Sequence, residues 1–585
     1  MKKNAFKTIK HKADLCVIGG GMAGICAAIS AARHGAKTVF MHERPVLGGN
    51  ASSECRVHIC GADRHNSIKN MRETGILEEI RLENLYRNPT KNYSIWDTVL
   101  YEKVKDEKNI TLLLNCTCLD AKIANNRIKT IRGWQLTTES YHEVESAIFA
   151  DCSGDAVLAP LTGAEFRMGR EAKNEFNESI EPEVADTKTM GMTCLFAARK
   201  YDRPMPFLPP HWAYKFESCD DLPYGKNGHK WFEMGYWWIE LGEENSIEGT
   251  EETRDELLKI VYGVWDHIKN HCENKKEAEN WAIDWIQFLP AKRESRRYVG
   301  AKILTQNDII SEGKFDDIVA YGGWSMDDHN ILGFRAAKKK EAPTIFHHAP
   351  SPYGIPYRCL FSKNISNLMF AGRNASCTHA AMSSTRVMGT GAVMGQAVGT
   401  AAAFAIQKNI LPKDALKDIK IIQQMLIKDD CYLPWVKYEL SEKLKNAKIT
   451  ASNGDPSVLL DGFTRPIETE SHRWDCKEGD WLEIKFCKAE KLKNLSIIVE
   501  SALDKNIALS YHQRDDQLTS LPQVLPREIS IEIMVDSEWS TLVNICENRK
   551  RLIKIDINRK IEAIKFTIKK TWGAEKTGIF AVFCE

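Results

Sequence analysis

The chain begins with a sharp change of pattern. Residues 13–18 form a short apolar run that stops at three consecutive glycines, and residues 22–34 continue with the alanine-rich composition of a buried helix. Strand, tight turn, helix is the expected order. Residues 37–42 supply a second strand and residues 110–119 another, followed by hairpin-like alternation through 127–133 and 148–152. Between them, residues 67–87 have helical periodicity, with Ile76, Leu77 and Ile80 on one face. From about residue 162 to residue 328 the chain becomes rich in Trp, Tyr and Pro, and a glycine- and alanine-rich helix then returns at 388–405. Residues 414–426 read as a connecting helix ending before Pro434. Beyond about residue 446, short alternating strands such as 481–486 and 495–499 are separated by polar turns, the signature of an antiparallel β-sandwich.

These shifts predict an α/β architecture with a Rossmann-type nucleotide-binding fold, an inserted domain and an all-β end. Residues 1–161 and 331–410 form the nucleotide fold, 162–330 the inserted substrate or cap domain, 411–445 a helical linker, and 446–585 the sandwich. A chain of 585 residues is too long for one hydrophobic core, so several units are expected.

Composition narrows the function classes. With 80 basic residues against 79 acidic ones, the net charge of +1 offers no general attraction to polyanions, and a nucleic-acid partner is not expected. The basic runs at 338–340 and 549–551 read as solvated faces. No run of 18 or more apolar residues occurs, and residues 1–14 lack the apolar core of a secretion signal. The expected setting is therefore the cytoplasm, with no membrane span. The 17 cysteines are odd in number and scattered, with no Cys-x-x-Cys pair. Zinc ribbons, iron–sulfur clusters and thioredoxin-like centres lack their ligand spacing, so reduced thiols and no metal are expected.

Gly19-Gly20-Gly21-Met22-Ala23-Gly24 is a G-x-G-x-x-G turn placed directly after an apolar strand and before a helix. Gly19 makes the tight turn, Gly21 lets backbone approach a pyrophosphate, and Gly24 lets helix pack on strand, with Met22 and Ala23 opening the helix that faces the phosphates. Glu43 follows at the end of the second strand, where a carboxylate can accept hydrogen bonds from a ribose diol. Glu43-Arg44-Pro45-Val46-Leu47-Gly48-Gly49-Asn50 resembles the extended second-strand motif of two-dinucleotide-binding-domain flavoproteins. The stretch from Asp151 to Ala156, with Ser153, Gly154 and Asp155, matches a later glycine motif of that superfamily. Phe370-Ala371-Gly372-Arg373-Asn374 matches its C-terminal strand-to-turn motif. Gly391, Ala392 and Val393 lie in the start of a helix whose N-terminus can face a flavin pyrimidine. FAD is the expected cofactor, and Cys118 on the 110–119 strand is placed beside it.

Together these segments resemble the FAD-dependent oxidoreductases related to fumarate reductase flavoprotein subunits and to the A subunit of heterodisulfide reductase. Particularly similar are residues 167–171, 293–297, Gly322-Gly323-Trp324 with Asp327 and His329, and the block 371–403. The resemblance covers about residues 13–435 and implies redox chemistry on a small organic substrate. It does not carry over the iron–sulfur partner role, because the cysteine spacing is absent. Residues 459–462, Trp474 and 481–486 resemble discoidin-type, galactose-binding-like modules, which serve either in sugar binding or in structural packing.

A flavin exchanges hydride at N5, so the protein must move a proton and hold the substrate. His379, between the Gly372-Arg373 motif and the glycine-led helix, is the first expected acid/base. His329, with Asp327 two residues before it, is the second. Arg386 and Arg358 are expected to anchor substrate or flavin, while the cluster Arg293, Arg296 and Arg297 reads equally as a structural network paired with Glu294. Tyr236-Trp237-Trp238 can stack on a sugar or belong to a core. Cys55 and Cys60 as a redox pair, His58 as a covalent flavin link and His347-His348 as metal ligands are further readings. The expected reaction is oxidation at a hydroxyl-bearing carbon of a carbohydrate or related compound. The alternatives are reduction of an activated C=C bond and a non-enzymatic carbohydrate-binding protein. The electron acceptor stays open, and a homodimer is the expected assembly.

Overall fold

The computed structural model describes residues 6–243, 245–509 and 516–585. Its first unit is built on a mostly parallel sheet. Strand β1 (Lys7–Ile18) leads through the glycine turn into helix α1 (Met22–Arg33) and strand β2 (Thr38–Met41). Helices α2 (Ile76–Arg87) and α3 (Tyr93–Lys105) precede β3 (Ile110–Leu113), a β4–β5 hairpin (Cys116–Ala124, Arg127–Gln135) and β6 (Ser140–Asp151). The sheet order is β3-β2-β1-β6-β5-β4. Parallel pairing joins β3, β2, β1 and β6, and the late strand β7 (Leu368–Phe370) pairs in parallel with the end of β6 where β5 has left it. A strand from far along the chain thus completes the sheet beside the glycine turn.

Two expectations shift. Residues 110–119 are two strands, because Asn115 takes a left-handed φ of 52° and turns the chain between them. The helix expected over 67–87 begins only at Ile76. Gly75, at φ 78°, ends an irregular approach in which the buried side chains of Arg72 and Glu73 find partners.

Helix α1 is buried on almost every side, which explains its alanine content. Its main partner is the 21-residue helix Met388–Lys408. A Cβ on Gly395 would lie 2.0 Å from the Ala23 carbonyl, and one on Gly399 2.2 Å from that of Ala27. The glycines therefore permit the close approach of two backbones. That long helix is long and apolar enough to cross a membrane by length and composition, but 94% of its apolar window is packed inside the protein.

The inserted region has its own core around Phe196, Tyr236, Trp238 and Trp265. Strand Thr189–Thr193 pairs with Glu240–Glu243 and Ala291–Lys292, Phe196–Lys200 pairs with Trp281–Ile286, and helix α4 (Thr250–Asp266) packs on them. The C-terminal unit is a seven-stranded antiparallel sheet around its own apolar core. The two short strands expected at 481–486 and 495–499 are one strand, Trp481–Val499, continued through irregular registers that bend it. This unit is clamped to the first by buried arginines. Arg72 pairs with Glu78 at 2.7 Å and donates to the carbonyls of Ser501 and Ala502, at 3.1 and 3.0 Å. Arg465 donates in the opposite direction, to Asn70 and Arg72 carbonyls at 2.9 and 3.2 Å, and Arg551 meets Asp430 at 3.1 Å.

Candidate functional site

The glycine turn, the second-strand loop and the start of the long helix all line one cavity of about 900 Å³. Gly19, at φ 98°, has no room for a Cβ, which would lie 2.4 Å from Ser153. At Gly24 a Cβ would lie 1.9 Å from the Gly19 carbonyl oxygen, whereas at Gly21 it would meet nothing within 4 Å. Two glycines thus serve packing, and the third leaves space. The peptide N–H of Gly48 donates to the Gly20 carbonyl at 2.8 Å, so the second-strand loop folds back onto the turn. The opening left at Gly21, at the positive end of α1, fits a diphosphate held by backbone amides.

Gly19, Gly21, Met22, Ala23, Glu43, Arg44, Gly48, Gly49, Asn50, Cys118, Ser153, Gly154, Asp155, Gly372, Arg373 and Gly391 all line this cavity. Gly24, Ala392 and Val393 do not. They lie one layer behind, Gly24 in the strand–helix contact and the other two in the core. Glu43 is exposed to the cavity and is ready to accept a ribose diol. Arg44 is instead held by Glu54 at 2.5 Å. Asp155 receives Arg373 at 2.7 Å and Lys292 at 3.0 Å. Burial opposes its charge, but these two cations hold it well below the usual carboxylate range.

The sequence reading passed over His42. Its Nδ1 accepts the Gly20 N–H at 3.0 Å and its Nε2 donates to the Val46 carbonyl at 3.0 Å. Burial lowers this imidazole to about 4, which keeps it neutral and able to do both. The signal was its position directly before Glu43.

A second group of polar side chains meets the same cavity, from the inserted region and from the segment that precedes the long helix. His329 lies with Nδ1 2.8 Å from Glu240 and Nε2 3.1 Å from Asp327. Arg386 donates to the Asp327 carboxylate at 3.1 Å, and its buried Nε has no hydrogen-bond partner among the described residues. Arg293 meets Glu240 at 2.8 Å and donates to the Thr193 hydroxyl at 2.6 Å. Burial raises the Asp327 carboxyl, yet His329 and Arg386 pull it well below its ordinary value. Glu240 is the member that sequence reasoning missed, since no motif connects it to His329. Trp231, Trp237 and Phe346 add aromatic surface. The run 236–238 alternates as a strand-like segment does: Tyr236 and Trp238 are core, and Trp237 reaches the cavity.

Two expected catalytic residues are elsewhere. His379 is buried behind the cavity wall, with Nδ1 2.9 Å from Glu294 and Nε2 3.4 Å from Asp328. Arg297 bridges Glu294 and Glu171, and Glu171 accepts the His379 peptide N–H at 2.8 Å. His379 therefore belongs to a structural ion network. Arg358 forms a two-pronged pair with Asp317, at 2.9 and 3.0 Å, away from the cavity. Arg297 takes the structural half of its two readings, and Arg293 and Arg296 line the cavity.

Cys55, Cys60 and His58 do line it. Burial pushes both thiols up to about 12, so neither is a ready thiolate. His347 and His348 join no ligand set among the described residues. Away from the cavity, the fold gathers Cys219, His229, His267 and Cys272 within 4.8 Å of one another. Their long spacing hid them.

The parallel sheet, the glycine turn and the shared cavity define a dinucleotide-binding flavoprotein. The family model for FAD dependent oxidoreductases matches residues 14–426, well over half of the chain, and the chain belongs to that family. It is an FAD-dependent oxidoreductase, and the cavity residues fit its cofactor. No curated protein sequence matches the chain. Among solved structures, a geranylgeranyl bacteriochlorophyll reductase-like protein from Thermoplasma acidophilum shares 12% identity over 72% of this chain and 86% of its own, with a TM-score of 0.34. The C-terminal unit is similar to the family 32 module of C. perfringens NanJ, solved with galactose, at 13% identity over 24% of this chain and 95% of that one, TM-score 0.18. A family 32 carbohydrate-binding module from Streptococcus pneumoniae EndoD shares 11% over 25% and 99%, TM-score 0.20.

Proposed function

We propose that the enzyme oxidises a hydroxyl-bearing carbon of a carbohydrate or related polyol. The observation that carries this reading is the array Arg293–Glu240–His329–Asp327–Arg386, in which Glu240 is buried behind the other four and those four line the cavity that also contains the FAD turn. FAD supplies the hydride acceptor. The protein must take the hydroxyl proton and hold the ring. Glu240 accepts from Nδ1–H and the Asp327 carboxylate lies 3.1 Å from Nε2, so the hydroxyl proton is taken by the His329–Asp327 pair and shared between that nitrogen and that carboxylate. Arg386 and Arg293 hold substrate oxygens, and the buried unpaired Nε of Arg386 is a donor awaiting an acceptor. Trp231 and Trp237 offer flat faces to the apolar side of a sugar ring. The start of the long helix, at Met388 and Gly391, turns its positive end toward the cavity, where it favours negative charge.

The test is anaerobic mixing of the oxidised holoenzyme with a panel of sugars, sugar acids and polyols. Bleaching of the flavin by at least one of them is expected, with loss of that bleaching in His329→Gln. If none bleaches it and the photoreduced enzyme is reoxidised by unsaturated carboxylates, the reaction runs in the opposite direction and the proposal fails.

A further inference from the structure

We propose that the inserted domain holds a structural zinc ion bound by Cys219, His229, His267 and Cys272. This site is separate from the flavin chemistry and does not depend on the substrate reading. The four ligand atoms lie within 4.8 Å of one another, and four of their six separations match those of a tetrahedral site. The two sulfurs are 3.8 Å apart, Cys219 Sγ lies 3.6 Å from His229 Nε2 and 3.4 Å from His267 Nε2, and His229 Nε2 lies 3.4 Å from Cys272 Sγ. Zinc bonds of about 2.3 Å to sulfur and 2.0–2.1 Å to nitrogen place tetrahedral sulfurs about 3.8 Å apart and sulfur–nitrogen pairs about 3.6 Å apart. A disulfide would need the sulfurs about 2.05 Å apart, and both cysteines are free.

The backbone is shaped for this set. Cys219 opens a short turn, Cys219–Asp221, capped by Ser218. His267 and Cys272 flank a wide π-turn, His267–His271, at the end of α4, closed by the Cys272 N–H donating to the His267 carbonyl at 2.7 Å. In a regular α-helix residues five apart point about 140° away from each other. The wider turn brings the two side chains to one centre. His267 also donates Nδ1–H to the Phe216 carbonyl at 2.9 Å, which fixes the tautomer that leaves Nε2 free to bind metal.

Charge and solvation agree. All four residues are buried. Two thiolates, two neutral imidazoles and one divalent cation sum to zero, so the assembled site leaves no uncompensated charge inside the domain, and binding releases only the two thiol protons. Four protein ligands leave no open position, which marks a structural rather than a catalytic ion, and an S2N2 tetrahedron selects zinc.

The ion also adds a covalent anchor to a long irregular segment whose other support is apolar packing and scattered backbone hydrogen bonds. Residues 201–239 run between strands Phe196–Lys200 and Glu240–Glu243 with only two short 3₁₀ turns. Loops longer than about 15 residues without regular structure are uncommon unless something fixes them. Cys219 and His229 tie this loop to the end of α4, and Trp231, Met234 and Trp237, which follow directly, line the flavin cavity.

Metal analysis of the full-length holoenzyme, purified without chelator and under reducing conditions, is expected to give one zinc per chain. Cys219→Ser combined with Cys272→Ser should lower this to about a tenth or less, while the exposed Cys487→Ser keeps it. Should the double variant fail to fold, cobalt(II) exchange into the wild-type protein decides. The intense visible bands of tetrahedral thiolate-bound cobalt, displaced by stoichiometric zinc, support the site. A protein that carries no zinc and takes up neither metal overturns the proposal, as does iron or copper in place of zinc, or a Cys219–Cys272 disulfide found by mass spectrometry.

Discussion

Gly21 and Gly24 differ by one turn of helix and should fail in different ways. Gly21 sits at φ −69°, ψ 178°, a conformation open to any residue, and an added Cβ meets no protein atom within 4 Å. Gly21→Ala should therefore fold normally, with apo-protein stability within about 0.5 kcal/mol of the parent. The methyl group would instead occupy the opening where backbone approaches the diphosphate. Loss of two charge-assisted amide hydrogen bonds at about 1.5 kcal/mol each amounts to about 3 kcal/mol, or roughly a 100-fold loss of FAD affinity. Gly24→Ala forces a Cβ to 1.9 Å from the Gly19 carbonyl oxygen, a clash between backbone and side chain that no rotamer relieves. It should cost about 3 kcal/mol of stability or more whether or not flavin is present. The assay is flavin-fluorescence titration of each stripped protein, paired with urea unfolding of the apo forms, because bound ligand itself raises apparent stability. If Gly21→Ala retains FAD within about threefold, or if its apo form is as unstable as that of Gly24→Ala, the division of labour between the two glycines is wrong.

His329→Gln should lower kcat about 10²- to 10⁴-fold while the flavin spectrum stays that of the parent, measured in stopped-flow reduction with whichever substrate bleaches the enzyme. Arg386→Lys should act mainly on KM, because the lysine keeps charge and loses the planar donor pair. Glu294→Gln leaves Arg297 and His379 without their shared carboxylate and should destabilise the fold by about 3–5 kcal/mol in chemical denaturation. The same network sets a pH dependence. Burial alone would lower the His379 imidazole, but Glu294, with Asp328 and Glu181, raises it well above its ordinary value, and burial pushes Glu181 up to about 7. Both groups bind protons more tightly folded than unfolded, so stability should fall as pH rises: for Glu181 from about pH 4.3 toward 7, for His379 from about pH 6.5 upward. Unfolding midpoints that rise across that range would contradict this, and Glu181→Gln should flatten the lower part of the decline.

The cofactor half of the site was legible because its chemistry is local. A glycine turn between strand and helix, and a carboxylate at the end of the next strand, are written in consecutive residues. Position along the chain was a poor guide to catalysis. His379 is close in sequence to Gly372 and Arg373, yet a helix start can point a side chain to either side of a wall, and the carboxylates of Glu294, Asp328 and Glu181 face this one on the inner side. Glu240 and His329 meet only because the inserted strands fold Glu240 against them, a contact no spacing announces. The cysteine–histidine set was missed for the same reason, since a search for paired cysteines sees only ligands carried on one turn. The helix expected over 67–87 was too long because its periodicity ran through Gly75, and the buried pairs of Arg72 and Glu73 outweighed local preference.

The arginines that cross between the first and last units have a further consequence. Arg72 reaches forward to carbonyls near residue 501 and Arg465 reaches back to carbonyls near residue 70, so each half satisfies cations belonging to the other. Asn506 and Ala508 border the flavin chamber itself. Cutting away the β-rich end would take from Arg72 its three carbonyl acceptors, leave it Glu78 alone, and unroof the chamber at one stroke. That end is part of the chamber's wall rather than a removable accessory, and loading the chamber with its nucleotide should tighten the grip of both ends of the polypeptide.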